Sequence, residues 1–258
     1  MTDYPSLIFR LLYWYLNKLD KHKKLIFMNF GYYDSERNLS LSPEDEYNRY
    51  PLQLYHHMAE MVDLRNKDIV DVGSGRGGGL SFIAKYYQAA SLKGIDRGKD
   101  SIEFSKKYHK HDKLMFLHGD AQDLPIEDES CDVILNVESS HRYQSMDLFL
   151  KEVSRTLRPG GYFLFTDFRY DEKWDELLKL IEESGMLVLA EKDITDNIVK
   201  ALELDSERRQ ELIRQYVPRV LRKKILNFSG STGTETYEYF RNRKFTYRSF
   251  KVIKPAIN

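Results

Sequence analysis

Cysteine is nearly absent from this chain of 258 residues, with Cys131 the one example. One thiol closes no intramolecular disulfide, which excludes the stapled secreted scaffolds and fits a reducing, cytoplasmic setting. An excess of charge is missing too, since forty Lys and Arg balance forty Asp and Glu. Neither nucleic acid nor an anionic membrane is therefore expected as the main partner, and a small molecule is. No apolar run is long enough to cross a bilayer. The most apolar stretch, SLIFRLLYWYL from Ser6, is about half the required length, and it contains Arg10. It lacks a basic leader and a small-residue cleavage site. It reads as an amphipathic helix that packs on its own domain or closes over a site, with docking on a membrane surface as the lesser alternative. The basic clusters KHKK (21–24) and RKK (222–224) read as solvated helix faces.

What is present is a regular alternation from Lys67 onward. Short β-branched or apolar runs alternate with segments of helical period, the pattern of a parallel sheet wrapped by helices. The expected strands are DIVDVG (68–73), SLKGID (91–96), LMFLHGD (114–120), CDVILNV (131–137), GYFLFTDF (161–168) and MLVLAEK (186–192). The helix MDLFLKEVSRTL is expected to stop at RPGG, where Pro159 and the glycines turn the chain into a strand. After 194–226, read as one or two helices, the loop SGSTGTET leads to a seventh strand, FTYRSFKVI. The expectation is one α/β domain with a mainly parallel seven-stranded sheet. Residues 1–65 form an N-terminal helical cap, 66–193 the ligand-binding core, 194–236 a helical cap insertion and 237–258 the last strand.

The first strand ends in DVGSGRGGGL, with Gly73, Gly75 and Gly77 spaced G-x-G-x-G and Asp96 closing the next strand. Glycines let backbone N–H groups approach a ligand closely, and a later carboxylate accepts hydrogen bonds from ribose hydroxyls. The spacing is wrong for a P-loop. Gly78 completes a formal G-x-G-x-x-G with Gly73 and Gly75, so spacing alone leaves a dehydrogenase open. The rest of the core is more informative: Asp71 precedes the first glycine, GDAQDLP follows the third strand and RPGG precedes the fifth. From Lys67 to Phe168 the chain resembles the class I S-adenosylmethionine-dependent methyltransferases. The resemblance implies their Rossmann-like fold, S-adenosyl-L-methionine as cofactor and S-adenosyl-L-homocysteine as product. It also implies that the glycine loop around Asp71, Gly73 and Gly75 holds the methionine part, Asp96 the ribose, and Asp120 with Ala121 the adenine, with Asn136 a further contact. MNFGYYD, QLYHHM, NVESSHRY and ALELDS extend the similarity to the phenolphthiotriolone dimycocerosate methyltransferase-like group and, more broadly, to natural-product O-methyltransferases. Ser74 stands where many relatives carry Cys, a small change in a loop that works through its backbone.

Methyl transfer to a hydroxyl needs an oxygen that loses its proton, and a neutral imidazole suits that task near pH 7. His141 lies just beyond the fourth strand and Asp167 ends the fifth, so neighbouring strands would place Asp167 to orient His141 as general base. The natural-product relatives imply the same pair. Glu138 reads equally as an attractor of the sulfonium or as an acceptor for loop N–H groups. Tyr32 and Tyr33 are candidate lids over the sulfonium. His56 and His57 have less claim, on a helix facing the cofactor side. No Asp-Asp pair offers a magnesium site, and metal independence is expected. The expected acceptor is a hydrophobic small molecule of polyketide, phenol, sugar or lipid type, with peripheral membrane contact open. Transfer to carbon or nitrogen, and a non-catalytic cofactor-binding scaffold, remain the alternatives.

Overall fold

The computed structural model describes residues 25–37 and 39–256, so the apolar N-terminal stretch and the KHKK cluster lie outside the described residues. Seven strands make one sheet in the order β3-β2-β1-β4-β5-β7-β6. They are β1 (Asp68–Val72), β2 (Ser91–Asp96), β3 (Leu114–His118), β4 (Cys131–Val137), β5 (Leu157–Tyr170), β6 (Leu187–Asp193) and β7 (Phe245–Ile253). Pairing is parallel from β3 across to β5, and β7 runs antiparallel to both β5 and β6. The helices are α1 (Arg49–Ala59), α2 (Gly78–Tyr86), α3 (Lys99–Tyr108), α4 (Met146–Thr156), α5 (Trp174–Glu183), α6 (Thr195–Tyr216), α7 (Arg219–Phe228) and α8 (Glu235–Arg241).

Successive strand residues feed opposite faces, and both faces are covered. Ile69, Val133, Leu135 and Leu164 join Leu54, Met58, Leu80 and Ile198 in one core, on the side of α1, α2 and α6. Val70, Val72, Ile134, Phe163 and Phe165 join Phe149, Val153, Trp174 and Ile181 in the other, beneath α4 and α5. Near-continuous burial along β4 follows from its central place between β1 and β5. At the far edge every residue of β6 is exposed, and its pairing to β7 slips between Val188 and Ala190.

Two differences from the expected elements exceed one or two residues. The fifth strand begins at Leu157, not at Gly161, because Leu157 already pairs with Cys131 before a register shift. The RPGG segment is thus a bulged part of the strand, with Gly160 at φ +79° donating its N–H to Lys254 O at 2.8 Å. The second change is α8, which interrupts the segment expected to run as a loop straight into the last strand. Thr234 Oγ1 caps it by accepting from Tyr237 N, and burial of Tyr237 and Phe240 holds this short helix down. Within the described part of the expected N-terminal cap, residues 25–45 form no helix and α1 supplies the helical character.

Close approach fixes one glycine in particular. A Cβ on Gly79 would lie 1.9 Å from the Tyr55 ring, and that ring is held in place because its hydroxyl donates to buried Asp71 at 3.2 Å. Gly79→Ala is therefore expected to cost about 1–3 kcal/mol by overpacking. Denaturant melts check this, and an unchanged midpoint would show that Tyr55 can move aside.

Candidate active site

The strand ends gather the polar residues. Gly73, Gly75 and Gly77 all sit in the left-handed region, at φ +78°, +54° and +77°, which lets the loop fold back over β2. Asp96 anchors it: one carboxylate oxygen accepts from Gly75 N at 2.8 Å and the other from Gly98 N at 2.7 Å. Burial raises the Asp96 pKa, and the two backbone N–H groups oppose that rise. Asp71, under the loop, is pushed by burial to about 7, with the Tyr55 hydroxyl pulling the other way. Asn136 Nδ2 reaches Val72 O (2.8 Å), Ser139 Oγ (2.8 Å) and Tyr143 Oη (2.9 Å), tying β4 and its following loop to β1. Asp71 Oδ1, Ser74 Oγ and Asn136 Oδ1 are buried with no partner among the described residues. Unmet polar atoms collected at one set of strand ends fit a polar ligand that brings its own donors and acceptors.

Beyond β3, Asp120 accepts from Gln122 N at 3.0 Å and stays partly exposed, while Ala121 is buried. Gln122 and nearby Arg97 hold the Asp120 carboxyl below the usual range. The two tyrosines are placed differently from the expectation. Tyr32 lies flat against His57, with ring centroids 4.5 Å apart, and its hydroxyl turns to Asp34. Tyr33 donates its N–H to Asn197 O and sits by Tyr50. Both pack their segment onto α1 and α6. The side chains over the glycine loop are Ile26, Phe27 and Met28: a Cβ on Gly78 would meet Ile26 at 2.5 Å and Phe27 at 2.7 Å, and one on Gly75 would meet Met28 at 3.9 Å. Their apolar character is readable in IFMNFGYYD, but nothing in one sequence says which residues of such a run face a loop 50 positions away.

His141 and Asp167 do come together. β4 and β5 are neighbours, paired up to Val137 and Thr166, so the residues just past that pair share one opening. His141 Nδ1 lies 2.8 Å from Asp167 Oδ1. Asp167 is fully buried and accepts also from Ser140 Oγ (2.6 Å), His141 N (3.0 Å) and Phe168 N (2.8 Å). Burial alone would raise its pKa, but His141, Arg169 and Ser140 outweigh it and hold the carboxyl well below the usual range. An ionised Asp167 takes the Nδ1–H tautomer of His141 and leaves Nε2 as an acceptor. Arg142 Nε donates to that Nε2 at 3.2 Å. Arg142, Ser140 and Arg169, which bonds Ser140 Oγ at 2.9 Å, are members of this cluster that sequence reasoning had not singled out.

Glu138 behaves in the opposite way. It is held at φ +50°, a strained conformation for a residue with a side chain, and its Oε2 accepts from Phe30 N (2.8 Å) and Tyr247 Oη (3.0 Å). It thereby serves the backbone of the covering segment, one of the two readings left open for it. Burial pushes its pKa up to about 8, and the Asp167 charge adds to the rise. Phe30 packs on Phe168 (5.4 Å) and Phe240 (5.1 Å), and Phe168 in turn on His141 (4.5 Å), so an aromatic cluster adjoins the imidazole. His57 is buried and bonds Ser249 Oγ at 3.0 Å, while His56 bonds the Tyr87 hydroxyl, so both are engaged in packing. Among the described residues no group of three or more His, Cys, Asp or Glu is placed to hold a metal ion.

The family of methyltransferase domains matches residues 70–165. A fatty-acid O-methyltransferase of Mycolicibacterium smegmatis is 37% identical over 248 residues, covering 96% of this chain and 90% of that protein. The phthiotriol/phenolphthiotriol dimycocerosates methyltransferase of Mycobacterium tuberculosis is 34% identical, over 94% of this chain and 91% of that one. Among solved structures, geranyl diphosphate C-methyltransferase from Streptomyces coelicolor, in complex with S-adenosyl-L-homocysteine, matches with a TM-score of 0.68 at 15% identity, covering 97% of this chain and 99% of that one.

A protonated Glu138 has a consequence for stability. With a folded pKa of about 8 against about 4.3 unfolded, its contribution is full below about pH 4.3 and is lost as pH rises through about 8. Wild-type stability is therefore expected to decline between about pH 4.3 and 8 by up to about 1.4 kcal/mol per pH unit more than in Glu138→Gln, which keeps the acceptor for Phe30 and Tyr247. Parallel pH profiles of thermal unfolding in the two proteins would show that Glu138 is ionised throughout.

Proposed function

Since the chain belongs to the class I S-adenosylmethionine-dependent methyltransferases, we propose that it methylates an oxygen of a lipid-type acceptor, with a hydroxyl as the group that His141 is built to serve. Its cofactor is S-adenosylmethionine. The acceptor class draws on the relatives' names, a fatty-acid and a phthiotriol methyltransferase, and on the aromatic cluster beside His141. The observation that carries the hydroxyl reading is the His141–Asp167 contact, which turns Nε2 into a base and backs it with a buried negative charge.

In this reading Asp96 takes the ribose hydroxyls, and the N–H groups of the Gly73 to Gly75 loop surround the methionine part. Asp71, with its unpartnered Oδ1, serves the ammonium end, Asp120 and Ala121 border the adenine, and Asn136 holds the loop's far wall. When bound, the cofactor supplies an electrophilic methyl group on a sulfonium. His141 Nε2 then receives the acceptor's proton, with the incoming hydroxyl replacing Arg142 as its hydrogen-bond partner. Asp167 fixes the ring and stabilises the imidazolium that forms. Phe27, Met28 and Phe30 cover the strand ends and exclude water.

Two measurements test this reading. Asp96→Ala is expected to weaken S-adenosylmethionine binding by about 10- to 150-fold in calorimetry, for loss of charge-assisted hydrogen bonds; unchanged affinity would remove the ribose assignment. His141→Ala is expected to lower kcat on a long-chain alcohol by about 10² to 10⁴ with cofactor affinity constant, and Asp167→Asn by less. A carboxylic acid is already ionised at neutral pH and needs no base. A large His141 loss on the alcohol and a small one on the fatty acid is the expected pattern, and turnover of the alcohol within about twofold of wild type would sink the general-base role.

A further inference from the structure

Arg142 stands where the acceptor has to arrive. A group within hydrogen-bond distance of His141 Nε2 marks the place of an acceptor oxygen, and the group found there is a guanidinium, with Arg142 Nε 3.2 Å from Nε2. Both side chains leave the same short turn, Ser140–Arg142, so the chain presents a base and a fixed cation side by side. The guanidinium carbon lies 5.0 Å from the Phe228 ring centroid, at the end of α7. Burial raises the Asp96 pKa, and with the Gly98 and Gly75 N–H groups the Arg142 charge opposes that rise, so its field reaches from the base to Asp96.

On a neutral alcohol the two side chains work against each other. Taking a proton makes His141 an imidazolium, and a guanidinium at this distance opposes that charge in a site of low dielectric. Arg142 also occupies the Nε2 lone pair. An anion on the acceptor removes both obstacles, because it draws the guanidinium off Nε2 and cancels its charge. Among the described residues, Arg169 and Arg209 are committed elsewhere: Arg169 to Ser140 Oγ (2.9 Å) and Asp167 (3.8 Å), Arg209 to Asp205 (2.9 Å). A single guanidinium matches a singly charged carboxylate better than a phosphate dianion, and its planar fork takes both carboxylate oxygens. Glu138 does not repel such an anion at neutral pH, since burial lifts its pKa to about 8.

We propose that the acceptor is an α- or β-hydroxy acid with an apolar tail, its carboxylate bound by Arg142 and its hydroxyl served by His141. The close spacing of the two functions follows from the contact between the two side chains, whereas the tail and the hydroxyl step rest on the lipid-acceptor and general-base reading. In that step the hydroxyl oxygen gains the methyl carbon as the carbon–sulfur bond leaves its electron pair on sulfur, the proton passes to Nε2, and the carboxylate is unchanged.

Calorimetry on the full chain loaded with S-adenosylhomocysteine reads the anion site without turnover. Wild type is expected to bind β-hydroxydecanoate about tenfold or more tightly than its methyl ester, which keeps the hydroxyl and loses the charge. Arg142→Met should bring the two within about twofold, and Arg142→Lys should restore part of the preference. Turnover adds a change of opposite sign: Arg142→Met should raise KM for the acid about tenfold and raise kcat on the ester, where the cation only hinders. Equal binding of acid and ester by wild type would overturn the proposal. So would an acid preference that survives in Arg142→Met, tighter binding of decyl phosphate than of the hydroxy acid, or a methyl group recovered on the carboxylate. Wild-type turnover by His141→Ala, together with an acid preference that depends on Arg142, would sink the base reading alone and uphold Arg142 as the holder of the carboxylate.

Discussion

A carboxylate cut off from water must be surrounded by donors or it will take up a proton. Asp167 meets this requirement with the loop that follows β4: Ser140 gives its hydroxyl, His141 both its backbone N–H and its ring, and Phe168 its N–H from the strand itself. The direction of the imidazole, the place of Arg169 and the short helical turn Ser140–Arg142 all follow from keeping that one charge satisfied. Glu138, three residues before His141, receives Phe30 N and Tyr247 Oη, and burial together with the charge of Asp167 raises its pKa to about 8 against the pull of Arg209. Two acids side by side thus divide into an ionised one that fixes the His141 ring and a neutral one that secures a covering segment. Environment, not residue type, makes the division.

Much of this was legible in advance because a doubly covered parallel sheet writes itself plainly. The central runs β1 and β4 are buried on both faces and the runs beside them are short and apolar-rich, so five strands could be read off, and the pairing of His141 with Asp167 needed only that β4 and β5 be neighbours. The place of Asp96, at the end of β2 beside the glycine loop, was legible because a glycine loop and a carboxylate one strand later form a local unit. What escaped was non-local or weakly encoded. The helix α8 is seven residues long and is held by Tyr237 and Phe240, whose burial depends on the tertiary fold. The covering residues Ile26 to Met28 were passed over in favour of Tyr32 and Tyr33, since aromaticity stands out in a sequence and the direction of an irregular segment does not. RPGG reads as the place where a helix ends and a strand starts, because proline and glycine break helices, whereas the strand already begins at Leu157 and a register shift carries it through that segment.

The covering segment also links the two halves of the site. Met28 stands over the glycine loop, while two residues later Phe30 is fixed to Glu138 and packed against the ring that touches His141. Arg209, buried in α6, donates to Asn29 O at 3.0 Å and to Ser229 O at 3.2 Å, and its charge is answered by Asp205. The covering segment, the end of α7 and α6 therefore share one buried guanidinium. Displacing any of the three would take one partner from that buried charge, a cost inside a protein.

The open edge of the sheet bears on how copies of this chain behave toward each other while folding. β6 offers its outer row of N–H and C=O groups to solvent, with Leu187 and Leu189 exposed beside them. Such an edge is a template on which a partly folded neighbour can add a strand, the first step of edge-to-edge aggregation. The slipped register between Val188 and Ala190 breaks the ladder there, and Glu191, Lys192 and Asp193 bring charge to the rest of the strand. On this edge a short, kinked stretch is left unguarded, so here the hazard of crowding during refolding falls on the first three residues of β6.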